Sequence, residues 1–233
     1  MTDTAPMPTR ESPGAPTLLL VPTAREERRF FADGAWERGL ALHALAGFGP
    51  VAAAARTAAL VARLAPRRVL LAGIAGTYSE DVLPVGAATC FDAVALDGVG
   101  AGAGAGFRLP SQLGLPQWPA ADGAAAVHER LALARPPAAR AAGLLLTVCA
   151  ASDGATQTGE RRERHPGAGA EDMEGFGVAL ACALAGVPLC IVRGASNRVG
   201  ERDPGAWHID EAIDSARALA ADVLATGAAW ALA

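Results

Sequence analysis

The sequence predicts one α/β domain, in which helices cover both faces of a mostly parallel sheet. Two observations support this fold class: short apolar segments alternate with helical segments along the chain, and turn residues separate them. The length of 233 residues suits a single domain of this class, and 52% of the residues are hydrophobic. The chain can therefore bury a sizeable core, and compositional disorder is expected only near its ends.

The predicted elements follow one another in that alternating order. Apolar runs predict strands at residues 17–21, 40–46, 68–72, 87–96, 144–149 and 188–193. Helices are predicted at residues 23–31, 50–64, 175–185 and 209–230. Pro50 suits a first helical position, and Gly186 suits a helix end. Residues 1–16 are polar and rich in proline, which predicts a flexible tail before a domain of residues 17–233.

Charge and cysteine pattern exclude several classes of function. The net charge is −4 and the pI about 5.6, with no basic stripe, so nucleic acid is not an expected partner. The sequence shows neither a signal-peptide pattern nor an apolar run of about 18 residues, so we expect a cytoplasmic protein with no membrane partner. No cysteine lies in a C-x-x-C pair or at ligand spacing from a histidine, which argues against a metal site. Each lies in an apolar run and is expected to be a reduced core thiol: Cys90, Cys149, Cys182 and Cys190.

A segment rich in glycine and proline, residues 97–122, is the least regular part of the chain and predicts a long loop. Within it, residues 99–106 (VGAGAGAG) contain spacings like those of a dinucleotide-binding loop. Such a loop must follow a strand and open a helix, whereas the next four residues, FRLP, open none. We therefore expect a flexible loop here and no nicotinamide cofactor.

The segment Glu171-Asp172-Met173-Glu174 places three carboxylates directly before an apolar helix. One interpretation is an acidic first turn that complements the helix dipole. The other is a ribose-binding site, because a carboxylate can accept hydrogen bonds from both cis hydroxyls of a ribose. Those bonds would strengthen as positive charge develops on the sugar.

Two further segments follow predicted strands. Ser196 and Asn197 come after the strand that ends near Arg193, so they and the acidic segment are expected to open into one cleft. The alternative for these two residues is a turn or a helix cap. The segment from Thr23 to Glu26 (TARE) follows the first strand and fits a capping box. Its alternative role is to supply a carboxylate that takes a proton from an attacking water.

These segments, in this order, resemble the nucleoside phosphorylase and nucleosidase superfamily. The resemblance rests on Glu26 and Glu27 after the first strand, and on residues 72–76 (AGIAG), 172–175 (DMEG) and 192–197 (VRGASN). Within the superfamily the chain looks most like the futalosine hydrolases, on residues 171–177, 193–203 and Trp207. The resemblance implies a single-domain three-layer α/β/α sandwich with a central mixed, mostly parallel sheet.

The resemblance also implies a reaction and a set of site residues. The reaction is hydrolysis of futalosine to hypoxanthine and dehypoxanthine futalosine in menaquinone biosynthesis, with no metal or organic cofactor. Glu174 is assigned to the ribose hydroxyls, Met173 to packing against sugar and base, and a turn at residues 73–76 to the pocket wall. The carboxylate that activates water falls on Glu26 or Glu27, and we prefer Glu26. The predicted catalytic residues are Glu26 and Asn197, and the predicted substrate-binding residues are Ala75, Gly76, Asp172, Met173, Glu174 and Ser196.

Position 197 predicts the type of base. Adenine-directed nucleosidases of the superfamily carry aspartate here, whereas this chain has Asn197. An amide can accept from a purine N7–H and donate to O6, a pattern that fits hypoxanthine or guanine and mismatches adenine. An unpaired buried polar group costs about 1–3 kcal/mol, so the residue favours a 6-oxopurine by roughly tenfold to a hundredfold.

Two alternatives to a hydrolase stay open at this point. One is a phosphate-dependent purine nucleoside phosphorylase acting on inosine-type nucleosides, which needs an anion site of arginine and backbone N–H groups. The other is a nucleoside-binding protein with an inactive site, which the joint presence of Glu26, Glu174 and Asn197 disfavours. Arg108, in the long loop, is a candidate partner for the carboxylate on the 5′ side of futalosine. Members of the superfamily are usually homo-oligomers, so a dimer or larger assembly is expected.

Overall fold

The computed structural model describes residues 15–32, 41–121, 125–226 and 230–232. Residues 1–14 of the predicted tail (1–16) and Leu40 of the predicted second strand lie outside the described residues, as do residue 122 of the predicted loop and residues 227–229 of the predicted last helix. The strands are β1 (Thr17–Val21), β2 (Leu42–Leu45), β3 (Arg68–Thr77), β4 (Ala88–Cys90), β5 (Ala93–Leu96), β6 (Arg130–Ala132), β7 (Ala134–Arg135), β8 (Leu144–Thr147), β9 (Ala168–Asp172), β10 (Leu189–Arg198) and β11 (Ala231–Leu232). The α-helices are α1 (Ala24–Phe30), α2 (Pro50–Leu64), α3 (Pro110–Leu113), α4 (Gly154–Arg164), α5 (Gly175–Leu184) and α6 (Ile209–Ala225).

The central sheet is mixed and mostly parallel, as predicted. Its main order is β2-β1-β3-β9-β8-β5-β6, and β10 pairs with β3 and β4. The pairs β1–β2, β1–β3, β3–β10, β5–β8 and β8–β9 are parallel. The pairs β3–β9, β4–β10 and β5–β6 are antiparallel. A separate pair joins β7 to β11.

Helices cover both faces of this sheet, which confirms the three-layer sandwich. Alternate residues of the central strands enter two different apolar cores, so these strands are buried on both faces. Leu20 and Leu71 belong to the core that includes residues of α2 and α5. Leu70 belongs to the core that includes residues of α6. In the described part of the chain, no helix combines the length and the apolar character needed to cross a membrane.

Several predicted boundaries were wrong, for reasons that lie in the local sequence. The predicted strand at 87–96 is two strands, β4 and β5, which pair with different neighbours. Strands β3 and β10 each continue beyond their predicted ends, through Thr77 and Arg198, because they pair in parallel over their whole length. Strand β9 and helix α4 were not predicted. Their segments, AGAED and GATQTGERRER, contain few large apolar side chains.

The prediction that all four cysteines are core thiols is confirmed for three of them. Cys90, Cys182 and Cys190 are buried, whereas Cys149 is exposed, two residues beyond the end of β8. The apolar run that contains Cys149 therefore leaves the core before the cysteine. In the glycine-rich segment, residues 104–106 form a single 3₁₀ turn rather than the start of a long helix. This geometry lacks the helix that a dinucleotide-binding loop requires.

Candidate active site

A cavity of about 200 Å³ lies where β1, β3, β8, β9 and β10 reach their carboxyl ends. Residues in or directly after each of these strands line it, together with residues of helix α1 and of the loop before α6. Ligands of open α/β sheets bind at such strand ends. All of the predicted site residues line this one cavity, namely Glu26, Ala75, Gly76, Asp172, Met173, Glu174, Ser196 and Asn197. Their individual roles stay predictions.

Two parts of the cavity wall are strands where turns were predicted. Residues 73–76 belong to β3, so the prediction of a turn there was wrong. Ser196 and Asn197 belong to β10, so the alternative of a turn or cap at these two residues does not apply. The glycine and alanine residues at 73–76 hid the continuation of β3 in the sequence, because they lack the large side chains typical of a strand. The register between β3 and β10 shifts between Ala195 and Asn197. Such a bulge lets neighbouring residues depart from strict alternation, and both Ser196 and Asn197 line the cavity.

Glu26 takes part in the predicted capping box and also lines the cavity. Its carboxylate accepts from the backbone N–H of Thr23 at 3.0 Å, while the Thr23 hydroxyl accepts from the Glu26 N–H, so the predicted capping box is present. Its other oxygen accepts from the N–H of Ile74 in β3 at 3.0 Å. The side chain is 4% exposed and lines the cavity. Glu27 is only partly buried and does not line it.

Glu174 is the residue that precedes helix α5, and it is 5% exposed. One carboxylate oxygen accepts from the backbone N–H of Gly49 at 3.1 Å, and the other lies 3.4 Å from Nη2 of Arg193. Burial raises the pKa of the Glu174 carboxyl to about 7, the nearby Asp172 and Glu26 charges act in the same direction, and Arg193 opposes them. The carboxyl therefore titrates near neutrality.

Asp172 faces the same cavity, but its oxygens are already committed to the protein. One oxygen accepts from the Thr147 hydroxyl at 2.6 Å. The other accepts from the N–H of Gly175 at 2.9 Å and from Nε and Nη2 of Arg193 at 3.0 and 2.5 Å. This arrangement joins the start of α5 to β8 and β10. Asp172 thus holds its neighbours in place and has little capacity left to bind a ligand.

Arg193 is a site residue to which the sequence analysis gave no role. It is 0% exposed, lies within β10, and has three carboxylates nearby, those of Asp172, Glu174 and Glu26. Its Nη1 has no hydrogen-bond partner among the described residues. A Cβ atom on Gly73 would lie 2.4 Å from this Nη1 and 2.6 Å from Oε1 of Glu26, so both atoms adjoin the same small space. The signal in the sequence was a charge inside an apolar strand, PLCIVR.

Asn197 is held by its neighbours in one orientation. Its Oδ1 accepts from the Ser196 hydroxyl at 2.7 Å, and its Nδ2 donates to the Arg198 carbonyl at 2.8 Å. The Ser196 hydroxyl also lies 3.3 Å from the Ala75 carbonyl, so its single proton serves one of two acceptors. Each end of the amide therefore keeps one further hydrogen-bonding position for a ligand.

The remaining wall is mainly apolar and was only partly anticipated. Phe48, Val148 and Trp207 line the cavity, and Arg202 stands beside them. The segment 150–153, between β8 and α4, contributes Ala151 and Ser152 to the lining. Phe176, directly after the acidic motif, is a core residue with 1% exposure. Arg108, the predicted partner of a 5′ carboxylate, does not line the cavity; it donates to the Gln112 carbonyl within its own loop.

Comparison with known proteins identifies the class that this fold and cavity define. The family model of the phosphorylase superfamily matches residues 5–228, so the chain belongs to that superfamily. A solved 5′-methylthioadenosine/S-adenosylhomocysteine nucleosidase from Neisseria meningitidis superposes with a TM-score of 0.71 at 19% identity, covering 90% of this chain and 99% of that one. A futalosine hydrolase from Helicobacter pylori superposes with a TM-score of 0.69 at 15% identity, covering 92% and 100%. At these identities the structures show the shared fold.

Sequence relatives narrow the class further. A futalosine hydrolase from Streptomyces coelicolor is 40% identical in an alignment 194 residues long that covers 75% of this chain and 78% of the relative. Another from Thermus thermophilus is 33% identical in an alignment 219 residues long that covers 85% of this chain and 90% of the relative. Within the superfamily, the chain belongs to the futalosine hydrolases.

Proposed function

We propose that this protein hydrolyses the N-glycosyl bond of futalosine, releasing hypoxanthine and dehypoxanthine futalosine, as a cytoplasmic homo-oligomer in menaquinone biosynthesis. The observation that carries the proposal is the convergence of Glu26, Glu174 and Asn197 on one cavity at the strand ends. These residues supply a group for the water, a group for the sugar and a group for the base. The reaction needs no further chemical group, so we propose that it uses no cofactor.

Glu174 is proposed to hold the ribose. Its two oxygens make one hydrogen bond to Gly49 and one long contact to Arg193, which leaves acceptor positions for the two cis hydroxyls. The ionised form is the better acceptor, and its negative charge favours an oxocarbenium-like transition state. Since burial raises the pKa of this carboxyl to about 7, a substrate that donates two hydrogen bonds would favour its ionisation.

Glu26 is proposed to bind and deprotonate the water. Three of its acceptor positions are used, by the N–H and hydroxyl of Thr23 and by the N–H of Ile74, and one remains. We propose that Nη1 of Arg193, a buried donor that packs against Gly73 beside Oε1 of Glu26, donates to the water oxygen. A water between an acceptor and a donor is oriented for attack, and its proton passes to the Glu26 carboxylate as the new C–O bond forms.

Asn197 is proposed to stabilise the leaving base. As the C1′–N9 bond breaks, its electron pair moves onto the purine and N7 takes up a proton from solvent, while the proton that Glu26 accepted from the attacking water returns to solvent. The amide oxygen accepts from that N7–H, and the amide N–H donates to O6. This mechanism differs from that of two-carboxylate glycosidases, because no carboxylic acid protonates the leaving group.

Phosphorolysis is the weaker alternative for this cavity. Among the described lining residues, four are acidic and only Arg202 is basic. A phosphate next to the sugar would lie close to Glu26 and Glu174, and like charges in a poorly hydrated site repel one another. Water carries no charge and is therefore the better nucleophile for this site.

The test is an assay of purine-base release from futalosine, from inosine and from the 6-amino analogue of futalosine, each with and without phosphate. We expect rapid release from futalosine that does not depend on phosphate. Release of adenine from the 6-amino analogue should be roughly tenfold or more slower, because Asn197 mismatches its amino group. Turnover of inosine only in the presence of phosphate would assign the chain to the phosphorylases and refute the proposal.

A further inference from the structure

The rim of the cavity contains a cation next to an aromatic ring. Arg202 and Trp207 flank a 3₁₀ turn, Pro204–Ala206, that brings their side chains together. The guanidinium carbon of Arg202 lies 5.3 Å from the centre of a Trp207 ring, and both residues line the cavity. This distance is that of a cation–π contact between the guanidinium and the indole.

The backbone around this turn is fixed to the rest of the site. Gly200 has φ +90° and forms a bridge with Asp153, and its carbonyl accepts from the N–H of Gly154 at 3.2 Å. At the other end of the turn, the N–H of His208 donates to the carbonyl of Ser196 at 2.7 Å. Both ends of the rim segment are therefore tied to elements that also line the cavity.

Arg202 differs from the other charged residues of the cavity in two respects. It is exposed, whereas Glu26, Glu171, Asp172 and Glu174 are buried. It also makes no ion pair within 4.0 Å to any residue that the structure describes, although Trp207 stacks on it. Its guanidinium N–H groups therefore stay available to an anion that approaches through the cavity mouth.

The charge pattern determines which end of a bound substrate lies at this rim. The floor of the cavity holds the carboxylates proposed to serve the ribose and the water, so an anionic substituent there would be repelled and poorly solvated. An anionic end is better accommodated near the mouth, where Arg202 lines the cavity and water has access. The flanking Glu201 and Asp203 do not line the cavity, and each accepts from a backbone N–H of its own turn. The apolar rings of Trp207 and Phe48, which is 67% exposed, would face an aromatic body attached to that anion.

We propose that Arg202 binds the carboxylate of the 5′ aromatic substituent of futalosine, with Trp207 as the apolar wall beside the ring. This inference rests on the proposed function, since it concerns the 5′ group of that substrate. It replaces Arg108, which the sequence suggested and which donates to a carbonyl of its own loop. Arg202 would then be the residue that distinguishes futalosine from nucleosides with an uncharged 5′ position.

The experiment compares futalosine with its carboxylate methyl ester, measuring kcat/KM for hypoxanthine release by the wild type and four variants. The wild type should prefer the acid by roughly tenfold, the magnitude of a charge-assisted hydrogen bond at a partly solvated site. Arg202→Gln should abolish this preference by slowing the acid alone. Arg202→Lys should keep part of it, because the charge remains and the planar fork is lost. Arg56→Gln, which removes an exposed arginine of α2, should keep the full preference.

The outcomes separate the inference from its alternatives. Retention of the acid preference in Arg202→Gln would overturn it, as would loss of the preference in Arg108→Gln instead. If phosphate accelerated the wild type and Arg202→Gln removed that effect, Arg202 would be a phosphate ligand and the inference would be wrong. A wild-type protein that released hypoxanthine from neither compound would refute the proposed function itself, a result distinct from the loss of acid preference.

Discussion

Two buried arginines, Arg161 and Arg193, each lie in a cluster of carboxylates. The two clusters differ in how many of the guanidinium nitrogens have hydrogen-bond partners. Arg161, in α4, is 6% exposed, and each of its guanidinium nitrogens has a partner: Asp97, Ser152 with Glu171, and the Ala150 carbonyl. Arg193, in β10, is 0% exposed and pairs with Asp172 and Glu174, but its Nη1 has no described partner. Both clusters border the same cavity, through Glu171 in the first case and Asp172 and Glu174 in the second.

The difference supports a structural role for the Arg161 cluster and the ligand contact proposed for the Arg193 cluster. A fully hydrogen-bonded buried network stabilises one arrangement of the chain. A buried donor without a partner carries a free-energy penalty of about 1–3 kcal/mol unless a water or ligand satisfies it. The Arg161 cluster therefore anchors α4 against β9 and the end of β5, whereas the Arg193 cluster keeps one donor, Nη1, for the proposed contact with water.

The largest expected effect comes from a substitution in the Arg193 cluster. Glu174→Gln should lower kcat/KM for futalosine roughly a hundredfold to a thousandfold, because the charge that holds the ribose and stabilises the transition state is lost. Hypoxanthine release is the measurement. Glu27→Gln is the matched control, since Glu27 lies outside the cavity, and its rate should stay close to wild type. Near-normal turnover by Glu174→Gln would show that this carboxylate has no catalytic part.

A second substitution tests the Arg161 cluster. Arg161→Met should lower the free energy of unfolding by about 3 kcal/mol, because Asp97 and Glu171 would stay buried without this partner. Urea denaturation measures the change. The exposed neighbour Arg162→Met should change stability by less than about 0.5 kcal/mol. If Arg161→Met unfolded at the wild-type urea concentration, the Arg161 cluster would not anchor the fold.

The smallest expected effect is a pH dependence that belongs to Glu174. Its pKa is raised from 4.5 to about 7 in the folded protein, so between these values the folded state binds more protons than the unfolded state. The stabilisation is complete below the unfolded pKa and is lost as pH rises to about 7. The free energy of unfolding should therefore fall by on the order of 2 kcal/mol between pH 5 and pH 7. Glu174→Gln should lack this fall, and equal slopes in the two proteins would contradict the assignment.

The sequence predicted the fold and the residues that line the cavity. It did not predict the contacts that these residues make with one another. The cavity residues lie at strand ends, and the order of apolar segments locates strand ends to within a few residues. Glu26 and Glu27 could not be separated by sequence, because both follow β1 closely. The choice depends on which side chain the first turn of α1 directs inward, and Glu26 is the buried one.

The residues missed by sequence share a physical cause. Arg193 reads as the polar end of a strand, and only the pairing of β10 with β3 shows that the strand continues beyond it. Arg108 and Arg202 both lie in glycine-containing loops, and no local pattern tells which loop folds towards the cavity. The bridge between Gly200 and Asp153 joins segments that are distant in sequence, so it depends on tertiary structure.

Gly73 also limits how this catalytic centre can vary. A methyl group there would stand 2.4 Å from Arg193 Nη1, 2.6 Å from Glu26 Oε1 and 2.9 Å from the Pro22 side chain, closer than non-bonded atoms approach. Because Gly73 has no side chain, the Glu26 carboxylate and the Arg193 guanidinium, which are the proposed acceptor and donor for the water, can both lie beside it. Substitutions can change much of the apolar wall. A substitution of Gly73, in contrast, would require both the Glu26 carboxylate and the Arg193 guanidinium to move away from this position.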